Sequence, residues 1–111
     1  MGLLKVFVSG PYTKPDPENN VLKAIEVADT LIEIGAIPYV PHLYHFWHQH
    51  KPHPYEYWME LDAKWLRICD AVFRMSGESE GADQEVELAV SLGLPIFTDL
   101  GMLAKWLRAW R

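Results

Sequence analysis

A single cysteine, Cys69, in a chain of 111 residues excludes an intramolecular disulfide and makes a reducing compartment the expected one. Cys69 stands between Ile68 and Asp70 at an expected helix-to-strand junction, where a packed, unreactive thiol is the plain reading. Cations are also scarce. Ten lysines and arginines face fifteen aspartates and glutamates, and the formal net charge of −5 argues against a polyanionic partner such as nucleic acid. A small ligand with one phosphate stays compatible with that balance, because backbone N–H groups can hold it. No apolar run is long enough to span a bilayer. The run from Leu3 to Val8 is too short for a signal peptide and contains Lys5, so a soluble cytoplasmic protein without a membrane partner is expected. The G-x-G-x-x-G spacing, the P-loop and the H-E-x-x-H motif are all missing.

What is present suffices for a packed core. Half of the residues are hydrophobic and five are tryptophan, which excludes a disordered chain, and one domain over residues 1–111 is expected. Leu3 to Ser9 is β-branched and aromatic and reads as a buried strand. Val21, Leu22, Ile25, Ala28, Leu31 and Ile32 recur at helical spacing, predicting a helix over 19–34 that Gly35 stops. Residues 36–40 read as a second strand and 41–54 as a loop. Helices follow at 56–68, 81–92 and 102–110, with strands at 70–75 and 94–98. The alternation implies an α/β fold, doubly wound, with a mainly parallel four-stranded sheet and helices on both faces, Rossmann- or flavodoxin-like. Ligands in such sheets bind beyond the C-terminal strand ends.

That rim gathers the unusual residues. Ser79-Glu80-Gly81-Ala82-Asp83-Gln84-Glu85 reads as a turn leading into a helix, with Glu85 in the first helical turn. The free N–H groups there would keep a carboxylate ionised and fixed, as attack on a sugar carbon requires. A simple capping carboxylate is the competing reading. Asp62 falls mid-helix beside Trp58, Leu61 and Trp65. If shielded there its pKa rises, which suits a proton donor, whereas a solvated face would leave it inert. One protonated and one ionised carboxyl is the arrangement of retaining glycoside cleavage. Ser9-Gly10-Pro11-Tyr12 ends the first strand with small residues that let a ligand approach, or is a plain strand-ending turn.

Five histidines, His42, His45, His48, His50 and His53, crowd one segment. No cysteine lies close to them, and no metal or other cofactor is expected. Either His45, Phe46, Trp47 and Tyr55 form an aromatic wall for a flat ring, or the segment packs on its own helix. The last helix, with Leu103, Trp106, Leu107 and Trp110, is expected to pack on the sheet or on a second subunit.

The ordered set Val8-Ser9-Gly10-Pro11, then Asp62-x-x-x-Leu66-x-x-x-Asp70, then Ser79-x-Gly81-x-x-x-Glu85 resembles the nucleoside 2-deoxyribosyltransferase superfamily, which includes deoxynucleoside 5′-monophosphate N-glycosidases. The resemblance runs over roughly residues 5–98 and rests on order and spacing more than on any one element. It implies that Glu85 is the nucleophile forming a glycosyl-enzyme intermediate and that Asp62 hands a proton to the departing base. It places Ser79 against the sugar or its 5′ group and Gly81 at the helix start. With them Ser9, Gly10, Pro11, Tyr12, His45 and Trp47 make up the expected substrate-binding set. The partner so implied is a small nucleoside or nucleotide, and the chain is implied to form a homodimer or larger homo-oligomer. One residue departs from the pattern: the family tyrosine that orients the nucleophile falls on Phe7, with Tyr12 nearby as a substitute. That departure keeps a second class open, a non-catalytic module for a nucleotide or an ADP-ribose-like ligand. A small assembly protein built around its C-terminal helix is the third.

Overall fold

Side-chain alternation along the first strand sets a two-faced layout. In the computed structural model, which describes residues 3–110, the order is β1 (Lys5–Ser9), α1 (Pro17–Glu33), β2 (Ile37–Tyr39), a 3-10 turn (Pro41–Leu43), α2 (Tyr44–His50), α3 (Tyr55–Leu66), β3 (Ala71–Arg74), α4 (Glu80–Ser91), β4 (Ile96–Phe97) and α5 (Leu100–Ala109). The four strands are parallel in the order β2-β1-β3-β4. This is the α/β class read from the sequence.

Val6 and Val8 of β1 and Ala71 and Phe73 of β3 face one side, where they pack with Ala24 and Leu31 of α1 and Leu103 and Leu107 of α5. Phe7 and Val72 face the other side with Leu66 of α3 and Ala89 of α4. Ser9 pairs in register with Arg74, two residues beyond the Phe7–Val72 pair, so both belong to the α3/α4 side. Strand order reverses between β1 and β3, which places a crevice beyond their C-terminal ends.

Local signals explain most helix starts. Asp16, Ser79 and Asp99 each accept a backbone N–H in the first turn of α1, α4 and α5. The segment 41–54 departs from the expected loop, since it winds into the 3-10 turn and α2. No side chain caps the start of α2, and the sequence there has no apolar stripe. Aromatic packing on α3 holds it instead. Tyr44 stacks on Trp58 with ring centres 5.2 Å apart, and Trp47 meets Trp58 edge-on at 5.2 Å. The last helix packs on the sheet, burying Leu103 and Leu107, with Trp106 against Phe97.

Candidate active site

Glu85 lies in the second turn of its helix and not in the first. Ser79 caps α4 by accepting from Ala82 N at 3.1 Å, so the helix starts at Glu80 and Glu85 is its sixth residue. The open N–H groups of the helix start therefore do not hold its carboxylate. Ser9 does. Its Oγ donates to Glu85 Oε1 at 2.8 Å, with the Ala82 carbonyl at 3.4 Å. Ser9 is fully buried beneath Glu85 and does not line the cavity, unlike its expected place among the substrate contacts.

Burial raises the Glu85 pKa, contrary to the fully ionised group expected; hydrogen bonds from Asp62 and Ser9 and the charge of Arg74 pull it back down. Asp62 is raised to about 9, first by burial, then by the charge of Glu85 and by a hydrogen bond with it. Two carboxyl groups in contact cannot both be charged cheaply. The proton the pair shares is drawn toward Asp62, where burial and the Glu85 charge act in the same direction, and away from Glu85, whose hydrogen bonds favour the charged form. Asp62 is 6% exposed, so it does not belong to a solvated helix face. Its Oδ1 has no hydrogen-bond partner.

The pair opens into a cavity of about 700 Å³, a size that suits a small organic ligand. Gly10, Pro11, Tyr12 and Lys14 form the edge after β1. His42, Tyr44, His45 and His48 form a second wall, with Tyr55, Trp58 and Met59 of α3 beside them. Glu78, Ser79, Glu80 and Gly81 close the third side. Gly10 allows the β1 and β3 ends to meet, because a Cβ there would stand 2.8 Å from Met75 Cβ. At Gly81 a Cβ would meet the Tyr55 hydroxyl at 3.0 Å, so glycine brings α3 and α4 together at the rim.

Of the residues singled out by sequence, Gly10, Pro11, Tyr12, His45, Asp62, Ser79, Gly81 and Glu85 share this cavity. Trp47 does not; it is 45% exposed and packs on Tyr44 and Trp58. Tyr12 is no stand-in for the missing tyrosine, since its hydroxyl bonds His45 Nδ1 at 2.7 Å. Phe7 is buried against Tyr39 under the site. Asp70 is far from the chemistry: its carboxylate accepts from Lys5 N at 2.7 Å at the start of β1. Burial raises the Cys69 thiol to about 11, in line with an inert packing role.

Several contributors stood outside the expected catalytic and substrate-binding set. Asn20 is buried, and its side chain donates to the Tyr12 and Lys14 carbonyls at 3.0 and 2.9 Å, fixing the loop after β1. His42 bonds the Pro11 carbonyl at 3.1 Å, joining two walls of the cavity. Arg74, beside Glu85 electrostatically, is anchored by Asp83 at 3.1 Å and the Gly77 carbonyl at 3.0 Å. Among the described residues, no three His, Cys, Asp or Glu side chains converge as a metal site.

A family model described as a domain of unknown function (DUF7768) matches residues 4–99, most of the chain. The chain belongs to that family. No curated protein sequence matches it. Among solved structures it is similar to a 2-desoxiribosyltransferase from Leishmania mexicana, with a TM-score of 0.61 and 16% identity over 84% of this chain. It spans 61% of that protein's length. It is also similar to a 2-deoxyribosyltransferase from the psychrotolerant bacterium Bacillus psychrosaccharolyticus, with a TM-score of 0.58 and 18% identity, covering 83% of this chain and 69% of that one. At such identities the likeness is one of fold. None of the described helices is long and apolar enough to cross a membrane.

Proposed function

We propose that this chain cleaves or transfers the N-glycosidic bond of a nucleoside, with Glu85 as nucleophile and Asp62 as proton donor. The observation that carries the reading is the buried pair of carboxyl side chains lining one cavity, Asp62 beside Glu85, with Glu85 held by Ser9. A Glu85 oxygen attacks the anomeric carbon as the bond to the base breaks. The bond's electron pair leaves on the base nitrogen, which takes the Asp62 proton. The Asp62 carboxylate then removes a proton from water, or from an incoming base, as it attacks the glycosyl ester and frees Glu85. Water gives a hydrolase and a second base gives a transferase.

The charge around the cavity favours the free nucleoside over its 5′-monophosphate. Glu78, Glu80 and the carboxyl pair line it, and Lys14 is the single lysine or arginine among its lining residues. A phosphate would meet like charge. A homo-oligomer, a cytoplasmic setting and one domain over the whole chain belong to the same proposal; light scattering tests the first.

The test is release of free base from a panel of nucleosides and their monophosphates by wild type and Glu85→Ala. Release by wild type alone supports the reading, and equal release by both removes Glu85 from the role. Saturable binding with the ligand recovered intact would instead favour a nucleotide or ADP-ribose-like binding module. A 2-fluoro nucleoside should leave a sugar mass on the peptide containing Glu85.

A further inference from the structure

Among the described residues, three buried side-chain polar atoms lack a hydrogen-bond partner: His42 Nδ1, His45 Nε2 and Asp62 Oδ1. All three residues line the same cavity. Buried polar groups in folded proteins are nearly always paired, so three orphans around one cavity are the groups that a bound ligand would pair once it displaces what covers them. Asp62 belongs to the catalytic pair. The two histidines do not, and no step of the chemistry above uses them.

Their geometry states what they can accept. His42 is 4% exposed, and its Nε2 stands 3.1 Å from the Pro11 carbonyl, a group that only accepts. Nε2 therefore carries the hydrogen. Burial lowers the His42 pKa and keeps the ring neutral, which leaves Nδ1 as a bare lone pair. His45 is 7% exposed, one helical turn further on, with Nδ1 bonded to the Tyr12 hydroxyl and Nε2 unpartnered. Asn20 pins the loop that carries Tyr12 and Pro11, so both imidazoles are anchored to one braced strand end. A neutral acceptor offers nothing to a ligand that lacks a donor at that point.

We propose that His42 selects the substrate, its Nδ1 accepting a hydrogen bond from an N–H or O–H donor on the nucleoside, with His45 Nε2 contacting the same molecule. This rests on the nucleoside reading above. The donor is either an amino group on the base or a hydroxyl on the sugar, and the residue acts as a specificity determinant without taking part in bond cleavage.

The experiment compares kcat/KM for nucleosides matched except at one donor: amino against oxo bases, and sugars with and without one hydroxyl. Wild type should prefer one donor-bearing member by about 10-fold or more, and the pair that shows the preference identifies the donor. His42→Phe should collapse that ratio toward one. A merely structural role would slow both members in parallel and leave the ratio intact, which would overturn the proposal. A second readout is imidazole nitrogen NMR on Glu85→Gln, where ligand stays intact. The His42 Nδ1 resonance should move on saturation with the preferred nucleoside, and an unmoved resonance in a saturated sample defeats the idea. Base release without any donor preference sinks the His42 assignment and spares the glycosidic reading. Binding that shifts His42 without any release does the reverse. Absence of binding by every nucleoside overturns both.

Discussion

The two faces of the sheet are built for different tasks. On the α1/α5 side ten buried residues form one apolar cluster, all hydrophobic. On the α3/α4 side the buried apolar cluster has five members, and Ser9, Asp62 and Glu85 continue it toward the strand ends. The first face gains stability from burial alone. The second gives some of that up, because two carboxyl groups occupy places that apolar side chains would fill more favourably. The thinner core is where the fold keeps two carboxyl groups out of water.

Substitutions on each face break or sharpen that contrast. The largest effect is expected from Glu85→Gln, which should lower base release by about 10³-fold or more with the fold intact by circular dichroism. Activity retained within a factor of ten would return Glu85 to a packing role. Leu103→Ala on the opposite face should cost about 2–5 kcal/mol in urea unfolding while kcat/KM of the folded protein stays unchanged. A matching drop in kcat/KM would mean that the faces are not independent.

Asp62→Asn should slow turnover by about 10²-fold or more and abolish the alkaline limb of the pH profile. It should also stabilise the protein, increasingly so as pH rises. The folded Asp62 pKa, about 9, lies above that of an unfolded aspartate, so the folded state binds the extra proton. Its contribution to stability is complete below the unfolded value and is lost as pH climbs toward 9. Thermal melts of wild type and Asp62→Asn should therefore converge near pH 4 and separate near pH 8; parallel curves would show that Asp62 titrates normally.

Ser9→Ala removes a bond that lowers the Glu85 pKa. It should reduce kcat about 10-fold, leave KM nearly unchanged, and move the acidic limb to higher pH. The smallest effect is expected from the substrate's charge, with a nucleoside preferred over its 5′-monophosphate about 10-fold. The reverse preference would assign the rim near Lys14 to a phosphate.

The alternating frame was legible because strands such as Lys5–Ser9 and helices such as α1 carry plain periodicity and capping residues. Asp62 and Glu85 drew notice through residue type and spacing, and the structure brings them into contact. The depth of Glu85 in α4 was missed because Ser79 captures the chain earlier than an apolar run reveals. The place of Ser9 was in fact written in the alternation: two residues after Phe7, it had to face the same side. Helix α2 left no local trace, since rings on α3 hold it and its own sequence does not. Unpaired histidine nitrogens are invisible in a linear chain, because tautomer and partner exist only after folding.

Trp58 gives this architecture a practical consequence. Its indole N–H donates to His48 Nδ1 at 2.9 Å and its ring borders the cavity, whereas Trp106 and Trp110 lie together at the last helix. The protein thus carries its own optical reporter. Emission from that indole should answer to whatever fills the space beside it, so occupancy can be followed by fluorescence without attaching a dye.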